Sequence, residues 1–182
     1  MYRKILINEK IFWSSDKLLS WEDFQGVVDV THKHQALSGT NLAHRTNFDP
    51  IQKSSKIKLR INWIKMDASF IPSRSWVRPQ HKTNELLKHE QGHFDIAKLM
   101  AREIEEKLNQ KFKGKMFSSN YLSLEEADKD PKHILTKLIK KETKIIEKHI
   151  VFSHDKYDAE TNHGKIKEKQ IEYDERFKKL RN

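Results

Sequence analysis

Five consecutive residues, His89-Glu90-Gln91-Gly92-His93, hold two imidazoles and a carboxylate at a spacing suited to metal chemistry. Residues four apart share one face of a helix, so His89 and His93 can offer ring nitrogens to a single ion. Glu90 is rotated by about 100° from His89, which leaves it beside the ion as a general base rather than on it as a ligand. Zinc suits two imidazoles with such a base, and it lowers the pKa of its water to about 7. The expected chemistry is hydrolysis, in which zinc-bound water activated by Glu90 attacks a peptide carbonyl and the same carboxyl returns the proton to the leaving amine. The chain contains no cysteine, which excludes thiolate ligands and disulfides. The competing reading of the pair is two core histidines satisfied by hydrogen bonds.

Catalytic zinc takes a third protein ligand and keeps one position for water. Glu103, Glu105 and Glu106 follow on the same helix, but a straight helix carries them away at about 1.5 Å per residue. They are expected to be solvated or paired with lysines. A better supply is Tyr157-Asp158-Ala159-Glu160-Thr161-Asn162-His163-Gly164, which gathers several ligating side chains. His163 is the first choice, with Asp158, Glu160 and His154 as alternatives. Tyr157 is a candidate to donate its phenol to the oxyanion of a tetrahedral intermediate. Asp95, on another helix face, is expected to bind away from the metal.

The elements that must position these groups follow from periodicity. Residues 1–80 read mainly as strands. The clearest is Lys56–Trp63, where Ile57, Leu59, Ile61 and Trp63 alternate with polar residues. Pro72 marks Ser69–Val77 as an edge or bulged strand, a place where an extended substrate could add to the sheet. Trp21 and Phe24 are expected to anchor the amino-terminal loop. From Thr83, a reasonable N-cap, Leu86, His89, His93, Ile96, Met100 and Ile104 recur in steps of three and four and predict a helix over 83–113. A second helix is expected over 123–152, a ligand loop over 153–163 and a last helix over 164–180.

With 182 residues and only 5 glycines and 4 prolines, the chain is sized for one domain without long linkers. It carries no run of about 20 apolar residues, so no transmembrane segment is expected. The net charge of +10 raises a nucleic-acid surface as an alternative. Lys137, Lys140, Lys141, Lys144 and Lys148 instead recur at the spacing of one solvated helix face, and no reader motif accompanies them.

His-Glu-Gln-Gly-His-Phe-Asp-Ile-Ala (89–97), Leu-Ser-Trp-Glu-Asp-Phe-Gln-Gly (19–26) and Tyr-Asp-x-x-Thr-x-His-Gly (157–164) together resemble the domain of unknown function 922 family, bacterial predicted secreted zinc-dependent proteases. The resemblance implies a zincin-like fold, metal ligation by His89 and His93, and Glu90 as base. It also implies export to the periplasm or beyond after removal of a leader; without one the reading is cytoplasmic. The combined expectation is a single α+β, zincin-like domain over 1–182: an antiparallel or mixed sheet packed on a long active-site helix, with two further helices. Its expected function is zinc-dependent cleavage of a peptide or protein substrate. A degenerate or structural-zinc zincin serving as a binding module is the alternative, and a basic nucleic-acid-binding protein a more distant one.

Overall fold

The computed structural model describes residues 10–53, 56–119, 123–125 and 148–182. Most of the helix expected over 123–152, with Lys137, Lys140, Lys141 and Lys144, lies outside the described residues. The architecture is mixed α+β with antiparallel strand pairs. Its strands are β1 (Ile11–Phe12), β2 (Ala36–Leu37), β3 (Thr40–Lys53), β4 (Lys56–Phe70), β5 (Trp76–Val77) and β6 (Met116–Ser118). Its long helices are α1 (Asn84–Phe112), α2 (described over 148–161) and α3 (Lys167–Arg181). No described helix is long and apolar enough to cross a membrane. The chain divides into two compact units, one of Met1–Ala43, Asp67–Ala101 and Phe152–Asn182, the other of His44–Met66 and Arg102–Val151.

In the first unit, β1 pairs antiparallel with the end of β4, Ile11 opposite Phe70 and Phe12 opposite Ser69. Leu19, Phe70 and Phe94 form a buried cluster on which Ile11, Trp13, Phe24 and Leu87 pack. Phe24 meets Phe70 edge-on at 5.1 Å and Trp21 at 4.9 Å, which ties down the amino-terminal loop as expected. Thr83 caps α1, its hydroxyl accepting from the Leu86 N–H at 3.1 Å. The first half of α1 is buried on every side from Gly92 to Ala97, as a core helix is. Asp95 lies away from the histidines, accepting from the Trp13 indole at 2.7 Å and paired with Arg181.

The edge expected at Ser69–Val77 is taken up at its first end and kept at its last, where, among the described residues, the strand has a neighbour on one side only. Ser69 faces β1, and Trp76–Val77 form β5, which pairs with β2 as Leu37 opposite Trp76 and Ala36 opposite Val77. Pro72 sits in a short 3-10 turn between these pairings, so the signal that suggested an edge marks a corner. The segment expected as a ligand loop, 153–163, is helical through 161. Polar composition suggested a loop there, but Tyr157 and Thr161 are buried at a spacing of four, which is the signature of a docked helix. α3 follows the same rule and buries Gln170, Tyr173, Phe177 and Leu180.

In the second unit, β4 buries Ile57, Leu59 and Ile61, and then the alternation slips by one, so that Ile64 and Met66 are buried and Trp63 is exposed. Trp63 was expected on the buried face; a change of phase inside a strand is invisible to a period-two pattern. One edge of this stretch is satisfied piecewise. β6 pairs Lys58–Arg60, and the Ile61 amide donates to the Lys115 carbonyl at 3.1 Å. Side chains of α1 then stand in for a strand. Asn109 accepts from the Ile64 N–H at 2.9 Å and donates to the Ile64 carbonyl at 2.6 Å, and Glu105 accepts from the Met66 N–H at 2.8 Å. Glu105, expected to be solvated or paired with a lysine, is therefore a strand cap.

Candidate metal centre

His89, Glu90 and His93 project from the buried half of α1, with His89 only 1% exposed and His93 9%. Two close approaches fix that surface. A Cβ on Gly92 would lie 2.2 Å from the Tyr157 hydroxyl oxygen, so α2 docks where only glycine leaves room. A Cβ on Gly164 would lie 3.0 Å from His89 Cβ, and this glycine has φ +79°, so the turn after α2 rests directly on His89. Tyr157 stacks on the His89 ring at 4.6 Å and 12° and meets the His93 ring edge-on at 5.1 Å.

α2 brings a third ligand atom to the pair. Asp158 Oδ1 stands 3.0 Å from His89 Nε2 and 3.1 Å from His93 Nε2. These three residues form a metal-competent group, and two imidazoles with one carboxylate is a donor set that zinc takes. Asp158, an alternative in the sequence reading, is the residue brought to the histidines. His163 does not reach between them; its Nδ1 lies 3.3 Å from the same Asp158 oxygen and its ring packs on His34 at 4.5 Å. Glu160 turns away and accepts from the Tyr173 hydroxyl at 2.6 Å. His154 lies behind His93, their Nδ1 atoms 2.9 Å apart.

One assignment of tautomers satisfies the network. His89 Nδ1–H donates to Gln170 Oε1 at 3.4 Å, because the Gln170 amide nitrogen is committed to Tyr157 and Asp174 at 2.8 and 2.9 Å. His154 Nε2–H donates to Thr40 at 3.4 Å, and its Nδ1 accepts from His93 Nδ1–H. Both Nε2 lone pairs are then aimed at a carboxylate oxygen. Three acceptors then converge in a largely buried place, where either a proton or a metal cation between them would satisfy all three.

Without a metal, protons on the Nε2 atoms take the cation's place and donate to Asp158. Burial would raise the Asp158 carboxyl, but hydrogen bonds and charge from His89 and His93 outweigh it and hold it well below the usual carboxylate range. Burial pulls the His93 imidazole down, yet its hydrogen bond to Asp158 and the charges of Glu90 and Asp158 leave it raised. Burial, aided by the neighbouring His93, pushes His154 down to about 3, so it is a neutral imidazole.

Glu90 is 3% exposed and its Oε2 accepts from the Ser38 hydroxyl at 2.6 Å, which sets the carboxylate's orientation. Tyr157 does not serve as the expected oxyanion donor. It is fully buried behind His89, donates to the His89 carbonyl at 3.3 Å and pairs with Gln170. Burial also pushes its phenol far above the ordinary range. Its hydroxyl holds the helix instead of lining the pocket. Glu90, His89, His93, His154, Asp158 and His163 line a pocket of about 410 Å³ together with the loop around Ala36–Leu37.

Sequence reasoning missed Ser38, His34, Thr40 and Gln170. They come from distant segments, and only the His32-x-His34 pair carried any signal. No family model, curated protein or solved structure matches the chain.

Proposed function

We propose that the chain is a zinc-dependent hydrolase of peptide bonds with a zincin-like active-site arrangement, His89, His93 and Asp158 holding the metal and Glu90 serving as base. The observation that carries this reading is the convergence of two imidazole nitrogens and an ionised carboxylate within about one hydrogen-bond length of each other, beside a carboxylate in the same pocket. Zinc, when bound, supplies a Lewis acid that acidifies water and polarises a carbonyl. The protein's own groups do the rest. Asp158 stays ionised and adds negative charge to the donor set. His154 and Gln170 hold the rings of His93 and His89 in the ligating tautomers. Ser38 occupies Glu90 Oε2 and leaves Oε1 to take a proton from water and return it to the leaving nitrogen.

The pocket favours an extended substrate. Its volume lies in the range of about 300–1,000 Å³ typical of sites for small ligands or short segments. In the two-stranded sheet, β2 has β5 on one side only, and Gln35, Ala36, Leu37 and Ser38 line the pocket. A peptide in extended form can add to that edge, which, unlike β5 from the segment first expected, supplies the residues that line the pocket.

The test is digestion of a mixed peptide library by the zinc-loaded chain, with cleavage read by mass spectrometry and Glu90→Gln as control. Cleavage that is lost in Glu90→Gln while its zinc content holds, and lost on chelation but restored by zinc, supports the reading. Equal cleavage by Glu90→Gln, or none by wild type carrying a full equivalent of zinc, refutes it.

A further inference from the structure

We propose that a second divalent transition-metal ion binds in the same pocket, held by His34, His163 and Asp158, with the Asp158 carboxylate bridging the two ions. The proposal rests on the first site through Asp158 alone. His34, Asp158 and His163 form their own metal-competent group, each offering a ligand atom within 4.8 Å of the others. The two groups share only Asp158. Ligand atoms of one zinc ion lie about 2 Å from it, hence no more than about 4 Å apart. The ligand atoms of all four histidines and Asp158 do not lie within 4.8 Å of one another, as those of either set of three do, so the sets are read as neighbouring sites and not as one enlarged shell. His89, His93 and His163 all face the same Asp158 oxygen, Oδ1, at 3.0, 3.1 and 3.3 Å, so that oxygen lies between the two sets and the second carboxylate oxygen is left for either ion.

The backbone makes an unusual effort to put His163 there. Asn162 and His163 both have positive φ, 45° and 54°, and Gly164 follows at 79°. Three successive left-handed residues, two of them bearing side chains, are sparsely populated and persist where the surroundings impose them. The turn is held by the His163 amide donating to the Asp158 carbonyl at 3.1 Å and the Ile166 amide to the Thr161 carbonyl at 2.8 Å. It returns the His163 imidazole onto the carboxylate of the residue five positions earlier. His34 arrives from a separate segment, its amide donating to His32 Nδ1 at 3.3 Å and its ring meeting His163 edge-on. His34 and His163 are both part-exposed and line the pocket, so an ion there faces substrate and supplies a second Lewis-acid point for a carbonyl or carboxylate.

The experiment is zinc titration of the metal-stripped full chain by calorimetry, with zinc per chain measured after gel filtration, on wild type, His34→Ala, His163→Asn and His93→Ala. Asparagine tolerates the left-handed backbone at 163, so that variant removes the ligand and keeps the turn. The expected result is two equivalents in wild type and one in each of His34→Ala and His163→Asn, the retained ion binding within about threefold of its wild-type affinity. His93→Ala is expected to lose the other equivalent. With cobalt, wild type should show spin coupling that both His34→Ala and His163→Asn abolish. A wild type that takes one equivalent, whether or not His34→Ala weakens it, overturns the second site and leaves the first standing. A wild type that takes none overturns both.

Discussion

Gly92 occupies one of the two unspecified places between the paired histidines, where any residue would keep the motif, and the fold predicts that alanine is not tolerated there. In an ordinary helix interior, Gly→Ala stabilises by about 1 kcal/mol. Here the new Cβ would lie 2.2 Å from the Tyr157 hydroxyl oxygen and 2.6 Å from its Cζ. Relief requires a shift of roughly 1 Å in a ring that is fully buried and stacked on His89. Overpacking of this kind costs about 1–3 kcal/mol. Displacing the phenol from His89 and Gln170 adds about 1 kcal/mol for each hydrogen bond lost. The clash outweighs the helical gain, and the net expectation is a loss of about 3 kcal/mol. For a chain of this size that corresponds to a fall in Tm of about 6–12 °C. The assay is urea unfolding of the metal-stripped protein, with Gly92→Ala/Tyr157→Phe as a second variant. Removing the hydroxyl removes the closest clash, so the double variant should recover at least about 1 kcal/mol. A Gly92→Ala chain as stable as wild type, or more stable, would refute the docking of α2 on α1.

Asp158→Asn should weaken zinc binding by more than the roughly 100-fold typical of losing an outer-shell partner, read by competition with a chromophoric chelator. In the metal-stripped chain the same carboxyl, held below its ordinary value of 3.8, stabilises the fold above that pH and loses the contribution as pH falls further. Asp158→Asn should therefore flatten the acid end of the stability profile, and an unchanged profile would count against the Asp158–His contacts. Ser38→Ala should lower kcat by about 10-fold, less than the roughly 100-fold minimum for losing a general base itself because Glu90 remains, with KM and zinc content unchanged; a change confined to KM would place Ser38 with substrate instead. Arg181→Met leaves the Asp95 carboxylate, 3% exposed, without its cation and should cost about 3 kcal/mol, measured by thermal unfolding against Asp95→Asn/Arg181→Met, which should be less destabilised.

The helix carrying His89 and His93 was legible because its apolar steps of three and four run unbroken from Leu86 to Ile104 and Thr83 precedes them. The third residue of the proposed ligand set was only half legible. His154, Asp158 and Thr161 also stand at helical spacing, but a run of polar side chains looks like a loop until the surface they face is known. Asp158 needs its carboxylate because it meets two imidazoles, and nothing within its own segment says so. Ser38 and His34 approach from 50 or more residues away, and single-chain periodicity has no means to pair such positions. Tyr157 was misread for the converse reason: a phenol beside a ligand can face substrate or pin a helix, and only the steric gap at Gly92 decides between them.

The edge of β4 near Ile64 is closed by one amide side chain, and an amide ages. Spontaneous hydrolysis of Asn109 to aspartate would exchange its NH₂ donor for a second acceptor facing the Ile64 and Glu105 carbonyls it now serves. Two like dipoles would then oppose each other where a ladder contact had been, and the strand would offer Ile64 to whatever backbone came near. In this second unit, shelf life and tendency to self-associate would share a single chemical clock, readable as a one-dalton mass gain that precedes the first aggregates.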